Sequence, residues 1–153
     1  MKNVKLLYKK INPHDYGKLL YEMDINAFNR NFDYPSPSIA MTLDYLKNCN
    51  VYLVYSNETV IGLFAFKDVD KKVEVKQIIV LSDYQHKGYG KEIIKEIFRI
   101  NKNKSIWLVT HPKNTSAIIL YLKNGFEITG WKNNYYGDNQ PRIIFHFKNN
   151  LSD

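Results

Sequence analysis

The spacing of apolar residues changes period several times along the chain, and each change predicts an element. Val4 to Lys9 reads as a strand, and from Pro13 to about Phe28 the residues Leu19, Leu20, Met23, Ile25 and Ala27 fall near helical spacing. A polar, aromatic loop from Asn29 to Ser38 carries two prolines and precedes a shorter helix over Ile39 to Lys47. The period then drops to that of strands. Val51 to Tyr55 and Thr59 to Lys67 flank the turn Ser56-Asn57-Glu58 as a hairpin, and Lys72 to Leu81 adds a third strand. Over Gly88 to Asn101, Ile93, Ile94, Ile97 and Phe98 share one helical face with charged residues between them. Ser105 to Thr110 is a short apolar strand, Asn114 to Asn124 a helix closed by Gly125, and Phe126 to Tyr135 with Arg142 to Lys148 a last hairpin. The order β-α-α-β-β-β-α-β-α-β-β has no repeat and no linker. It predicts one mixed α/β (α+β) domain over residues 1–153, with about seven strands and about four helices.

Composition narrows the class. At 153 residues the chain can bury a core without disulfides or metals. Its hydrophobic fraction of 44% suits a soluble globular protein, and no apolar run approaches the roughly 20 residues of a membrane-spanning helix. The basic N-terminus lacks a small-residue cleavage site, and Cys49, the single cysteine, fits a reducing compartment, so a cytoplasmic location is expected and the sequons at Asn57 and Asn114 are accidental. A net charge of +7 invites a nucleic-acid reading, but the lysines are spread thinly, with no basic run beyond groupings such as Lys71-Lys72. A solvated basic surface or a small anionic ligand fits that distribution better. His14, His86, His111 and His146 have no metal-ligand spacing, so no metal is expected.

Chemistry concentrates in Ile78-Ile79-Val80-Leu81-Ser82-Asp83-Tyr84-Gln85-His86-Lys87-Gly88-Tyr89-Gly90-Lys91, which runs from strand through a Gly-containing turn into helix. Backbone N–H groups at a helix start lack internal partners and sit at the positive end of the helix dipole, so such a junction can hold phosphates. His86, Lys87 and Lys91 add positive charge. The glycine pair alone is equally a helix start that needs φ > 0. The Gly-Lys-Ser/Thr end of a nucleotide P-loop is absent, and Ile93 stands where a dinucleotide fingerprint has its third glycine.

Gln85-His86-Lys87-Gly88-Tyr89-Gly90 resembles the Gln/Arg-x-x-Gly-x-Gly/Ala signature of GNAT acetyltransferases. Downstream, Asn114 to Phe126 resembles that family's second motif, with Asn114, Ala117, Tyr121 and Gly125-Phe126 at its usual spacing. Ser82 departs from the pattern, since many members have proline there. The resemblance extends to the element order, and so implies a GNAT-like, mostly antiparallel twisted sheet flanked by helices. It implies acetyl-CoA as the cofactor and acetyl transfer to a primary amine. By it, the main chain around Ile78, Ile79 and Val80 pairs with the pantetheine arm, the turn Gln85 to Gly90 with Lys91 holds the pyrophosphate, and Asn114 and Ala117 contact the cofactor. Asn114 is equally a helix N-cap.

Acetyl transfer to an amine needs a neutral nucleophile, stabilisation of an oxyanion and a proton for the departing thiolate. Tyr121 occupies the family's general-acid position. A phenol with a reference pKa near 10 stays protonated at neutral pH and can serve a thiolate whose conjugate acid lies near 8.5. A tyrosine on an amphipathic helix is also an ordinary core residue. A backbone N–H near Ile79 is the implied oxyanion donor. Glu74 lies eleven residues before Gln85, the spacing of the catalytic glutamate in histone-type members, and alternation places it on the face of Ile78 and Val80. It is the first candidate for the base, with a lysine-paired strand carboxylate as the other reading. His111 and ordered water are the remaining candidates.

The resemblance walls the acceptor site with the first loop and the last hairpin. Phe32, Asp33, Tyr34, Tyr135 and Tyr136, with Trp131 and Asp138, suit a small-molecule or peptide amine, although rings capping a core would give the same pattern. Asn133-Asn134-Tyr135-Tyr136 also resembles the hairpin of ribosomal-protein N-terminal acetyltransferases, but Val109 stands where those enzymes carry a glutamate. Protein N-terminal or lysine acetylation is therefore an alternative, as is a non-catalytic acyl-CoA-binding module. An exposed last hairpin would suit strand pairing in a homodimer.

Overall fold

A computed structural model describes residues 5–28 and 38–149. Four α-helices and seven strands follow in the expected order among the described residues: β1 (Leu6–Ile11), α1 (Gly17–Phe28), α2 (Ile39–Tyr45), β2 (Asn50–Ser56), β3 (Thr59–Val69), β4 (Lys72–Val80), α3 (Tyr89–Ile100), β5 (Ser105–Thr110), α4 (Thr115–Lys123), β6 (Glu127–Lys132) and β7 (Arg142–Lys148). The strands form a sheet in the order β1-β2-β3-β4-β5-β7-β6. β1–β2, β2–β3, β5–β7 and β6–β7 pair antiparallel, and β4–β5 is parallel, which is the mixed sheet expected. No described helix is long and apolar enough to cross a membrane.

Several boundaries shift by a few residues from the periodicity, and two of the shifts have clear local reasons. The first helix is preceded by a 3-10 turn over Pro13–Tyr16, because the Asn12 side chain accepts from the His14 N–H and fixes a tight start. β6 stops at Lys132 rather than Tyr135, because Asn134 takes φ 53° and the Gly137 N–H closes back on its carbonyl at 3.2 Å.

The chain divides into two compact units, residues 1–67 with 76–90, and residues 68–75 with 91–153. In the first, α1 and α2 bring Leu20, Met23 and Leu46 onto Val51 and Leu53 of β2, Leu63 and Ala65 of β3 and Ile79 of β4. These side chains are almost fully removed from water, at about 1.5–3 kcal/mol each for the larger ones. Tyr52 and Phe64 stack at 4.8 Å, with Phe66 alongside, so the hairpin is apolar on more than one face. Gly62 of β3 lies so close to β4 that an added Cβ would overlap the Ile79 carbonyl oxygen.

In the second unit α3 buries Ile93, Ile94 and Ile97, and its Phe98 ring stacks on Phe147 of β7 at 4.0 Å. α4 turns Tyr121 onto Phe126 and Phe145, with ring centroids 5.6 and 5.4 Å away. The Phe126 N–H returns to the Tyr121 carbonyl at 3.1 Å, closing the helix at Gly125 as expected.

Candidate functional site

The strand end and the turn of the strand-turn-helix junction, as far as Gly90, lie in the first unit. β4 ends at Val80, and the Leu81 N–H pairs with the Ile61 carbonyl at 2.8 Å. The Gln85 side chain donates through Nε2 to the Val80 carbonyl at 2.8 Å, which folds the turn back onto the strand end. His86 has φ 61° and Gly88 φ 85°, and no atom lies within 4 Å of where a Gly88 side chain would begin. The turn therefore needs left-handed backbone at two positions and leaves open space beside the second. α3 starts at Tyr89, so its unpaired first-turn N–H groups follow directly. His86, Lys87 and Lys91 are exposed, and the Lys87 ammonium stands 5.6 Å from the Tyr84 ring centre. Open backbone, helix start and three basic side chains fit a phosphate-bearing ligand. On β4 itself Ile79 is buried, while Ile78 and Val80 are partly exposed.

The second unit holds the other groups. The β4–β5 ladder pairs Lys72 with Ser105, Val73 with Ile106 and Glu74 with Trp107. Glu74 and Trp107 thus stand side by side on one sheet face and line an open groove of about 570 Å³ together with Val69, Asp70, Lys71 and Lys72. Tyr135 belongs to the same neighbourhood: burial first, and the Glu74 charge second, push its phenol above the ordinary tyrosine value. Tyr121 is 8% exposed, and burial pushes its phenol up to about 12.

Asn114 is the N-cap of α4, its Oδ1 accepting from the Ala117 N–H at 3.3 Å and from Ser116 Oγ at 3.4 Å. His111 has both ring nitrogens engaged. Nδ1 accepts the Lys113 N–H at 3.0 Å, which puts the proton on Nε2, 2.9 Å from Gln140 Oε1. That leaves it poorly placed as a base. In the last hairpin Asp138 is committed to Arg142 at 2.8 Å: burial alone would raise its carboxyl, but the Arg142 and Gln140 hydrogen bonds win and hold it below the usual value. Tyr136 packs edge-on against Tyr135 at 4.7 Å and under the same guanidinium at 5.1 Å, while Trp131 is exposed and donates to Asn133. Phe32, Asp33 and Tyr34 lie outside the described residues. Among the described residues no group of three His, Cys, Asp or Glu could hold a metal ion.

Two residues were not singled out by the sequence. Trp107 became visible only through the parallel register that sets it beside Glu74. Gln77, a polar residue in the aliphatic run Val73 to Val80, was legible as an anomaly: it is 8% exposed and donates to Asp24 on α1 at 2.7 Å.

A family model described as Acetyltransferase (GNAT) domain matches residues 47–128. The spermidine N(1)-acetyltransferase of Thermoplasma acidophilum is 31% identical over 77 residues, 48% of this chain and 48% of that protein, so the match spans about half of that relative's length. The spermine/spermidine N(1)-acetyltransferase of Bacillus subtilis is 29% identical over 123 residues, 71% of this chain and 80% of its own. Among solved structures, the ribosomal-protein-S18-alanine N-acetyltransferase of Escherichia coli superposes with a TM-score of 0.80 at 17% identity, covering 97% of both chains. The spermidine N-acetyltransferase of Vibrio cholerae, in complex with CoA and spermine, gives 0.75 at 17% identity over 95% of this chain and 96% of its own.

Proposed function

Because the chain belongs to the GNAT acetyltransferase family, we propose that residues 1–153 act as one domain that transfers the acetyl group of acetyl-CoA to a primary amine of a polyamine. The observation that carries the cofactor reading is the junction from Val80 to Lys91, where left-handed backbone at His86 and Gly88 leads straight into α3. The polyamine reading draws on the two named relatives that act on spermidine and spermine.

When bound, acetyl-CoA supplies an activated acetyl group as its thioester. The turn Gln85 to Gly90 and Lys91 would hold its phosphates, and the main chain at Ile78 to Val80 its pantetheine arm, with Asn114 and Ala117 at the start of α4 as further contacts. The Tyr121 hydroxyl holds the proton that the leaving sulfur needs. Glu74 accepts the proton that the amine must lose, and Trp107 and Tyr135 beside it offer aromatic faces to an ammonium-bearing chain. A backbone N–H near Ile79 would be the donor available to the acetyl oxygen.

Calorimetry with acetyl-CoA followed by thiol release against spermidine, spermine, an alanine-ended peptide and a lysine peptide tests the reading. The expected result is micromolar cofactor binding, weakened by Lys87→Ala and Lys91→Ala together and by added salt, with turnover on the polyamines. Turnover confined to the peptides would replace the polyamine reading by protein acetylation, and binding without turnover on any amine would leave a regulatory module.

A further inference from the structure

β6 stands at one edge of the sheet, with β7 as its neighbour among the described residues, so its outer N–H and C=O groups can pair with a further strand. Its residues, Glu127-Ile128-Thr129-Gly130-Trp131-Lys132, are exposed except for the half-buried Gly130, and Ile128 and Trp131 keep 52% and 57% of their surface in water. A bulge breaks the alternation: the ladder pairs Ile128 with Phe145 and Gly130 with Ile144, which leaves Thr129 over. Ile128 and Trp131 therefore stand opposite Phe145 and Ile143, on the face where Tyr121 of α4 packs against Phe145. Glu127 and Lys132 stand opposite His146 and Arg142, on the other face. In a regular strand, residues three or five apart point to opposite faces, so the bulge is what brings each of these pairs onto one side. Thr129 Oγ1 turns back to His146 Nδ1 at 2.6 Å, and the Trp131 indole N–H donates to Asn133 at 2.9 Å, so both polar groups find partners within the chain. Glu127 and Lys132 form no ion pair among the described residues. The other edge strand, β1, carries Lys9 and Lys10 at its middle, a charge pattern that resists pairing with its own copy.

We propose that β6 is a self-complementary edge on which a second copy of this chain docks, the two β6 strands running antiparallel about a two-fold axis. In that register Glu127 meets the partner's Lys132, Ile128 meets the partner's Trp131, and Thr129 meets the partner's Gly130, where the missing side chain leaves room. A two-fold axis makes each contact twice, so a single strand supplies two ion pairs on one face and two apolar pairs on the other. Main-chain hydrogen bonds and the Ile128 and Trp131 contacts hold the copies together, while the exposed charges fix the register and the choice of partner.

Sedimentation equilibrium of the full chain should give a mass of twice 18.1 kDa at micromolar concentration. Glu127→Lys sets a lysine against the partner's Lys132 in two places, and Lys132→Glu sets carboxylates face to face, so each should raise the dimer dissociation constant about tenfold or more. The double variant Glu127→Lys with Lys132→Glu rebuilds both ion pairs in the reversed sense and should return the constant to within about threefold of wild type. That rescue separates pairing from folding, because a variant weakened by misfolding would not recover when a second exposed residue is changed. Ile128→Ser should weaken the dimer at high salt as well as low, whereas the single charge reversals should lose most of their effect as salt screens them. A chain that stays monomeric at millimolar concentration overturns the proposal, and so does a dimer indifferent to both single reversals. Single reversals that the double variant fails to rescue overturn it as well.

Discussion

Tyr121→Phe should lower kcat on the best amine by a factor on the order of 10²–10³ while acetyl-CoA affinity changes little, because a positioned proton donor contributes about that much. The ring is what the fold uses: it packs on Phe126 and Phe145, and phenylalanine keeps those contacts, so the melting temperature should hold to within a few degrees. The hydroxyl is what the proposed reaction would use. Burial pushes the phenol to about 12, so it is protonated at every pH where the protein would be assayed. Handing that proton to a free thiolate whose conjugate acid lies near 8.5 is uphill by about 3.5 units, or about 5 kcal/mol. In the proposed reaction Tyr121 would therefore work best as a hydrogen-bond donor that gives up its proton only as the sulfur departs. It follows that wild-type kcat has no falling alkaline limb from Tyr121 below about pH 11. Stability carries the same signature with a definite sign. Between about pH 10 and 12 the unfolded chain releases this proton and the folded chain keeps it, so stability falls through that window in the wild type and falls less in Tyr121→Phe. Equal kcat for the two proteins would remove Tyr121 from the chemistry and leave it a core residue.

Much of the fold was legible because it depends on local period. The hairpin of β2 and β3, the amphipathic α3 and the closure of α4 at Gly125 all follow from spacing and turn residues close in sequence. The junction from Val80 to Lys91 was legible for the same reason, since strand, turn and helix are consecutive. What escaped was set by register between distant segments. Trp107 is a bland strand residue until the parallel ladder puts it beside Glu74. Asp138 reads as an anion able to draw a cationic acceptor until the hairpin folds Arg142 onto it, and His111 reads as a base until Lys113 and Gln140 occupy its nitrogens. Pairings of this kind, separated by tens of residues, leave little trace in composition or periodicity.

Gly62→Ala should cost about 2–3 kcal/mol and lower the melting temperature by roughly 5–10 °C, a large effect for one methyl group. The new Cβ would overlap the Ile79 carbonyl oxygen and come to 3.3 Å from its carbonyl carbon, and these are backbone atoms that no rotamer change can move. The strands would have to part at the point where the Leu81 N–H pairs with the Ile61 carbonyl at 2.8 Å. Relief of the clash shifts Ile79, the stretch of main chain proposed to meet the acetyl oxygen, and a misplacement approaching 1 Å there costs up to about 10²-fold in rate. The variant should thus lose kcat beyond what its lower stability explains when both proteins are assayed well below their melting temperatures. Thr59→Ala, at an exposed position of the same strand, controls for weakened β3 and should change neither quantity appreciably. A melting temperature within about 1 °C of wild type would mean that β3 and β4 do not approach this closely at Gly62. A normal kcat alongside a lowered melting temperature would separate the two roles, keeping the close approach and removing Ile79 from the reaction.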